Sequence, residues 1–256
     1  MKFRKNSNYN IRKTHRYLGV FIGIQFLFWT LGGLYFSWNN MNDVHGETFL
    51  KQEKKYFKSV DFSNIQKGIT SLNIEVTIDS VHSINIIEAF EKPLAQFKYF
   101  EGHHLKIQLI DAETGNLRPP FSGQECLELV ERQLNEPIPI VAAEFLQKHS
   151  TGSHHEYRKK PLPAYAFTLD HSTKTTIYVS TELGQITSVR NNNWRRFDFL
   201  WMLHTMDYKT RDHITNRLLR VFSILGIVTI FSGFYLFYLT SPTFRNFRKK
   251  GAGRKS

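Results

Sequence analysis

The chain has one cysteine, Cys126, among 256 residues. No internal disulfide can form, so whatever domain it builds is held by its core alone, even on an oxidising side of a membrane. Cys126 lies in a helical-looking run, 125–134, and reads as a small buried apolar residue. Acid is missing from both ends: residues 1–16 carry six Lys/Arg and no Asp/Glu, and residues 241–256 carry six more, again without acid. The remaining 22 basic residues are balanced by 22 Asp/Glu, so the net charge of +12 resides in the two tails. Despite a pI near 9.7, a neutral middle lacks the basic stripe that nucleic acid requires, and no nucleic-acid partner is expected. A nucleophile elbow, a His-Glu-x-x-His helix, a phosphate loop and a Gly-x-Gly-x-x-Gly turn are also missing. Hydrolase, zinc-protease, flavin and nicotinamide chemistry are therefore not legible.

Charge is absent from two further stretches, 17–38 (22 residues) and 221–239 (19 residues). Each is long enough to cross a hydrocarbon core of roughly 30 Å as a helix. Lys/Arg flanks stay on the cytoplasmic side, so both termini read as cytoplasmic and the middle as extracytoplasmic. The first run exceeds the roughly 7–15 residues of a signal core, and residues 37–40 offer no small-x-small cleavage site, so it reads as a retained anchor. Tyr35, Phe36 and Trp38, with Trp194 and Trp201 ahead of the second run, form an interfacial aromatic belt. Gly19, Gly23, Gly32, Gly33, Gly226 and Gly233 allow close helix approach, within one chain or in a homodimer.

The expected fold class is α+β: two transmembrane helices bracketing an extracytoplasmic domain of two small units. The segments are a basic cytoplasmic tail (1–16), a first transmembrane helix (17–38), a juxtamembrane linker (39–58), a first unit (59–135), a second unit (136–193), an amphipathic juxtamembrane segment (194–216), a second transmembrane helix (217–240) and a basic cytoplasmic tail (241–256). Residues 73–79 alternate polar and apolar as a half-buried strand does. Residues 96–100 and 105–109 flank a turn and form a hairpin, and Gly115 suits a turn with positive φ. Ser122 caps a helix reaching about residue 134; beyond Pro137 and Pro139, residues 141–148 read as a second helical piece. Strand signals recur at 165–169, 176–180 and 181–186. Laid without gaps at an offset of 69 residues, 96–117 falls on 165–186, with Gly115 on Gly184 and Leu117 on Ile186, which suggests an internal repeat.

The strand and turn ending in Asp111-Ala112-Glu113-Thr114-Gly115-Asn116-Leu117 resembles the PepSY domain, a small α+β module. Arg12-Lys13-Thr14-His15-Arg16-Tyr17-Leu18-Gly19 opens the first span. Trp194-Arg195-Arg196-Phe197-Asp198-Phe199-Leu200-Trp201-Met202-Leu203-His204 precedes the second, which passes through Asn216-Arg217-Leu218-Leu219-Arg220 into a helix holding Gly233. These resemble the signatures of the PepSY-associated transmembrane family, over nearly the whole chain. That resemblance implies a bacterial inner-membrane protein with two PepSY-like units in the periplasm, related to reductases that release iron from siderophores with b-type haem between their spans. The better-known members have about four spans and this chain has two, a number a homodimer would restore.

On that resemblance, haem iron held by two imidazoles needs a His on each side of the macrocycle within apolar walls. His15 is the only His on the cytoplasmic face, and would pair with His15 of another copy or with another protein; otherwise it is a membrane-edge residue. His204 lies in an aromatic segment at the outer edge, as a ligand or as an interfacial hydrogen-bonder. His213, nine residues on, would face the opposite way on one continuous helix. His45, on the same outer side, is the intramolecular partner for His204 or His213, or a plain loop residue. Arg217 and Arg220 would snorkel to headgroups or pair with haem propionates; Arg195 and Arg196 would do the same or meet an anionic substrate. The pairs His103-His104 and His154-His155 lack further metal ligands at recognisable spacing and read as exposed loops. Two functions follow as expectations. One is a relay passing electrons outward for reductive iron release, fed by the membrane pool or a partner protein. The other is a non-catalytic envelope protein whose PepSY-like domain binds a peptide or protein partner. A sensor is less suited, since tails of 16 residues carry no output domain.

Overall fold

A computed structural model describes residues 2–52, 57, 59–211, 213–242 and 244, with side chains from residue 9 onward. Most of the C-terminal basic tail and five residues of the linker lie outside the described residues. The chain is α+β and divides into two compact bodies, one of residues 1–38 and 197–256 and one of residues 39–196.

The first body is helical. α1 (Lys2–Trp38) and α6 (Arg217–Thr240) are long, apolar and largely exposed, and each is long enough to cross a membrane. They pack antiparallel: Phe21 meets Phe222 with ring centroids 5.0 Å apart, and His15 meets Ser232 and Gly233 further along. α6 starts where Asn216, as N-cap, accepts from the Leu219 N–H at 2.8 Å. The end of α5 (Asn192–Thr205), from Phe197 onward, lies along α1.

The second body holds two four-stranded antiparallel sheets built in the same order, each preceded by a helix. After a short helix α2 (Met41–His45), α3 (Phe62–Glu75) is capped by Asp61, which accepts from the Ser63 N–H, and buries Ile65, Gly68 and Leu72. That three-to-four spacing overrides the alternation of 73–79: of the segment expected as a strand, residues 73–75 end α3 and residues 76–79 are irregular, and Ile74 is 83% exposed. The first sheet follows as β1 (Ser80–Ala89), β2 (Lys92–Glu101), β3 (His104–Asp111) and β4 (Leu117–Arg118), adjacent in that order. Ala95, Phe97 and Tyr99 face α3, while Leu94 and Leu109 join a second core around α4 (Gly123–Gln133).

α4 carries a reciprocal capping box between Ser122 and Glu125 and presents Cys126, Leu129 and Val130 inward. Its core continues into Phe167, Ile177, Val179 and Val189 of the second sheet: β5 (Ile140–Leu146), β6 (Ala164–Leu169), β7 (Thr176–Ser180) and β8 (Gln185–Arg190). The piece 141–148, expected to be helical, thus lies mostly in a strand, 140–146, paired with β6. A short apolar run does not distinguish the two by itself, and here the partner strand decides. In both sheets the turn before the last strand places a glycine in the left-handed region, Gly115 at φ 76° and Gly184 at φ 59°. A Cβ there would lie 2.6 Å from the Asn64 carbonyl oxygen or 2.8 Å from the Phe121 ring, so both positions require glycine.

Candidate functional site

The helical body concentrates its unusual chemistry where α1, α5 and the start of α6 meet. Gln25, the one amide inside the first apolar run, is buried and donates to the Leu203 carbonyl at 2.8 Å. One turn on, the Trp29 indole donates to the His204 carbonyl at 2.9 Å. These two bonds fix the end of α5 against α1 and set the His204 ring among aromatics. The imidazole stacks on Trp201 at an interplanar angle of 11°, with Trp29 at 5.8 Å and Phe36 at 6.5 Å between ring centroids. Beside it is a cavity of about 250 Å³, lined by Trp29, Trp201, His204, Ile214, Leu219 and Ser223 among others. The His204 Nδ1 is buried and has no hydrogen-bond partner among the described residues, a costly arrangement for a polar ring nitrogen.

The connector after α5 holds this geometry. Asp207 accepts from the backbone N–H groups of Thr210 (3.1 Å) and His213 (2.9 Å), and from the Thr210 hydroxyl. Burial would raise its carboxyl, but the Thr210 hydroxyl and the N–H groups of His213, Thr210 and Lys209 outweigh that and hold it well below the usual carboxylate range. Arg211 pairs with Asp198 of α5 at 2.6 Å, the Asp side chain being 7% exposed. Asn216 closes the loop by donating to the Thr205 carbonyl at 2.7 Å.

α5 ends at Thr205 and the described residues from 206 to 216 are not helical, so His204 and His213 do not share a helix and the opposite-face argument does not apply. His213 is exposed, engaged through its backbone. His15 sits between α1 and α6, its Nδ1 2.7 Å from the Ser232 hydroxyl. A Cβ on Gly233 would come within 3.2 Å of its Cε1, so the glycine makes the room the ring occupies. His15 and His204 are not brought together: His204 meets α1 at Trp29, fourteen residues beyond His15, or about 21 Å along the helix. His45 ends α2 in the other body, half exposed and 3.9 Å from Glu47. Arg217 and Arg220 are exposed in the first turn of α6 and make no ion pair among the described residues. Arg195 is committed elsewhere, held by Glu156 at 2.6 and 3.0 Å and donating to the Lys174 carbonyl.

A b-type haem held by two imidazoles can be tested against these residues. His204 offers a ring within apolar walls and an orphaned buried nitrogen. His15 offers a ring oriented through Nδ1, which leaves Nε2 as the nitrogen for a ligand. Each fits as one axial ligand. The body contains only one further His, the exposed His213, so the second imidazole for either site would come from His213 or from a second copy; His45, the partner expected from the sequence, belongs to the other body. Gln25, Asp198, Asp207 and Arg211 were not singled out in the sequence. Their signal is polar residues inside otherwise apolar or aromatic runs, and an Asp three residues ahead of a Thr.

Compared with known protein families, with curated proteins and with solved structures, the chain matches none.

Proposed function

We propose that this is a two-span bacterial inner-membrane protein of the PepSY-associated transmembrane type, with both termini cytoplasmic. Its α+β body is periplasmic, and it binds haem b to relay electrons outward for the reductive release of siderophore-bound iron. The observation that carries the reading is the buried, partnerless Nδ1 of His204 inside a box of indole rings at one end of α1. His15, at the other end of the same helix pair, supports it as a second position. When bound, haem supplies reversible one-electron chemistry.

The chain's own residues divide the remaining work. Trp29, Trp201 and Phe36 exclude water around His204 and fix its ring plane. Ser232 orients His15, and Gly233 leaves its ring space. Arg217 and Arg220, exposed at the head of α6, offer guanidinium forks to propionates or lipid headgroups. A homodimer related by a twofold axis would bring two copies of His204 to one level and two of His15 to the other. The test is the absorption spectrum of the detergent-purified chain, oxidised and dithionite-reduced, after expression with ample iron and haem precursor. A reduced α-band typical of two-imidazole ligation, weakened by His204→Ala and by His15→Ala, is expected. A colourless preparation overturns the reading.

A further inference from the structure

Outside the helical body the second sheet presents a bare edge. Among the described residues β5 pairs only with β6, and five consecutive residues, 141–145, are exposed. Val141 is 61% and Phe145 42% exposed. The other edges of the two sheets differ from it, although β1 also exposes Val81 and Ile84. β4 is two residues long, and β1 carries His82, Ser83, Asn85 and Glu88. At β8, Thr187 bonds the Tyr157 hydroxyl and Arg190 bonds the Glu156 carbonyl, so the loop between β5 and β6 covers that edge. β5 has no lysine or proline within it; its one charge is the exposed Glu144, and its one irregularity is a register shift between Ile140 and Ala142.

Beside this edge lies a groove of about 480 Å³ between α4 and β5. Tyr165 and Phe167 form its floor, stacked at 17°, and the row of rings continues to Phe145, 4.8 Å from Tyr165. In the strand register Ala143 lies opposite Phe167 and Phe145 opposite Tyr165, so the small Ala143 leaves the floor open where a larger side chain would fill it. Leu127 and Glu131 of α4 form the far wall. Glu131 is exposed and has no ion-pair partner among the described residues, whereas Glu125 and Glu128 on the same helix are paired with Arg118 and Arg132.

We propose that β5 and this groove bind an extended segment of another protein, which adds as a fifth strand to the second sheet. Main-chain hydrogen bonds to the free edge supply the pairing. Apolar side chains at alternate positions enter the groove over Tyr165 and Phe167, and a Lys or Arg of the segment meets Glu131. The unpaired edge accounts for a strand as the occupant, and the exposed acids Glu131 and Glu144 account for its basic residue. This proposal is independent of the haem reading, since it lies wholly in the α+β body.

The test is fluorescence anisotropy of the full chain in detergent with a labelled octapeptide of alternating valine and threonine carrying one lysine. Two further versions carry N-methyl groups on one or the other set of alternate amides. Binding is expected, lost at least tenfold for one methylated version and retained for the other. Ala143→Trp, which fills the groove floor, should weaken binding at least tenfold, and Glu131→Gln severalfold with a reduced salt dependence. If Ala143→Trp does not fold, Val141→Lys on the exposed edge serves in its place. Absence of binding, or equal binding of both methylated versions, overturns the proposal. So does a protein dimer that Ala143→Trp dissociates while the peptide never binds, because the edge then pairs with a second copy.

Discussion

Replacing Arg211 by methionine removes the guanidinium that pairs with Asp198 and leaves the Asp carboxylate, 7% exposed, without that partner. With charge centres about 4 Å apart and an effective dielectric near 20, the Coulomb attraction is about 4 kcal/mol. The Arg side chain is 24% exposed, so solvent screens part of it. Removing one partner of a buried ion pair costs about 3–5 kcal/mol in measured cases, and about 3 kcal/mol is the expected loss here. For a chain of this size that corresponds to roughly 6–12 °C in Tm. The assay is thermal unfolding in detergent at one fixed scan rate, followed by tryptophan fluorescence, since Trp201 lies one turn from Asp198. Asp198→Asn alone is expected to cost about 2 kcal/mol, and the double variant should fall short of the sum by about 2 kcal/mol. A wild-type Tm for Arg211→Met, or strict additivity in the double variant, refutes the claim that this pair holds the connector that places His204.

Cys126 is fully buried, and its thiol is pushed up to about 12 by burial and by Glu125, against Arg118. Maleimide at pH 8 should leave it unlabelled in the folded protein and label it in denaturant, as read by mass spectrometry; rapid native labelling contradicts its place in the core. The Asp207 carboxyl is held below its ordinary value, so its contribution to stability is complete above about pH 4 and is lost as pH falls further. The Tm gap between wild type and Asp207→Asn should therefore narrow from pH 7 towards pH 3, and a constant gap refutes the assignment. Gly68→Ala improves helix propensity by about 1 kcal/mol. Its methyl would nonetheless lie 2.5 Å from Ile110 Cγ2 and 2.9 Å from the Gly115 carbonyl oxygen. Overpacking of about 1–3 kcal/mol wins, so the variant should melt lower; a higher Tm would contradict the packing of α3 on β3.

Elements marked by a strong local signal could be read directly. The uncharged runs became α1 and α6, Ser122 became the cap of α4, and Gly115 and Gly184 became left-handed turns at matching places in two sheets. Where the signal was apolar alternation alone, tertiary packing decided. The buried stripe of Ile65, Gly68 and Leu72 carried α3 through Ile74, and pairing with β6 made a strand of 140–146. The two prolines ahead of that strand mark its start without revealing its type. At the candidate site the aromatic setting of His204 was legible from its neighbours Trp201 and Leu203. Its contact with Trp29 was not, because that contact joins residues 175 apart in sequence. Nor was the Asp198–Arg211 pair, which depends on the connector turning back towards α5 at Met206 and Arg211, both at positive φ.

The central claim is that His15 and His204 are two separate half-sites for haem, and its most direct test is the haem content per chain. Wild type, purified in detergent after expression with haem precursor, should contain about one haem per chain if two copies complete two bis-imidazole sites. His15→Ala and His204→Ala should each fall to about half that value, and the double variant to none. A chain that carries no haem, or whose content is untouched by either substitution, contradicts the account.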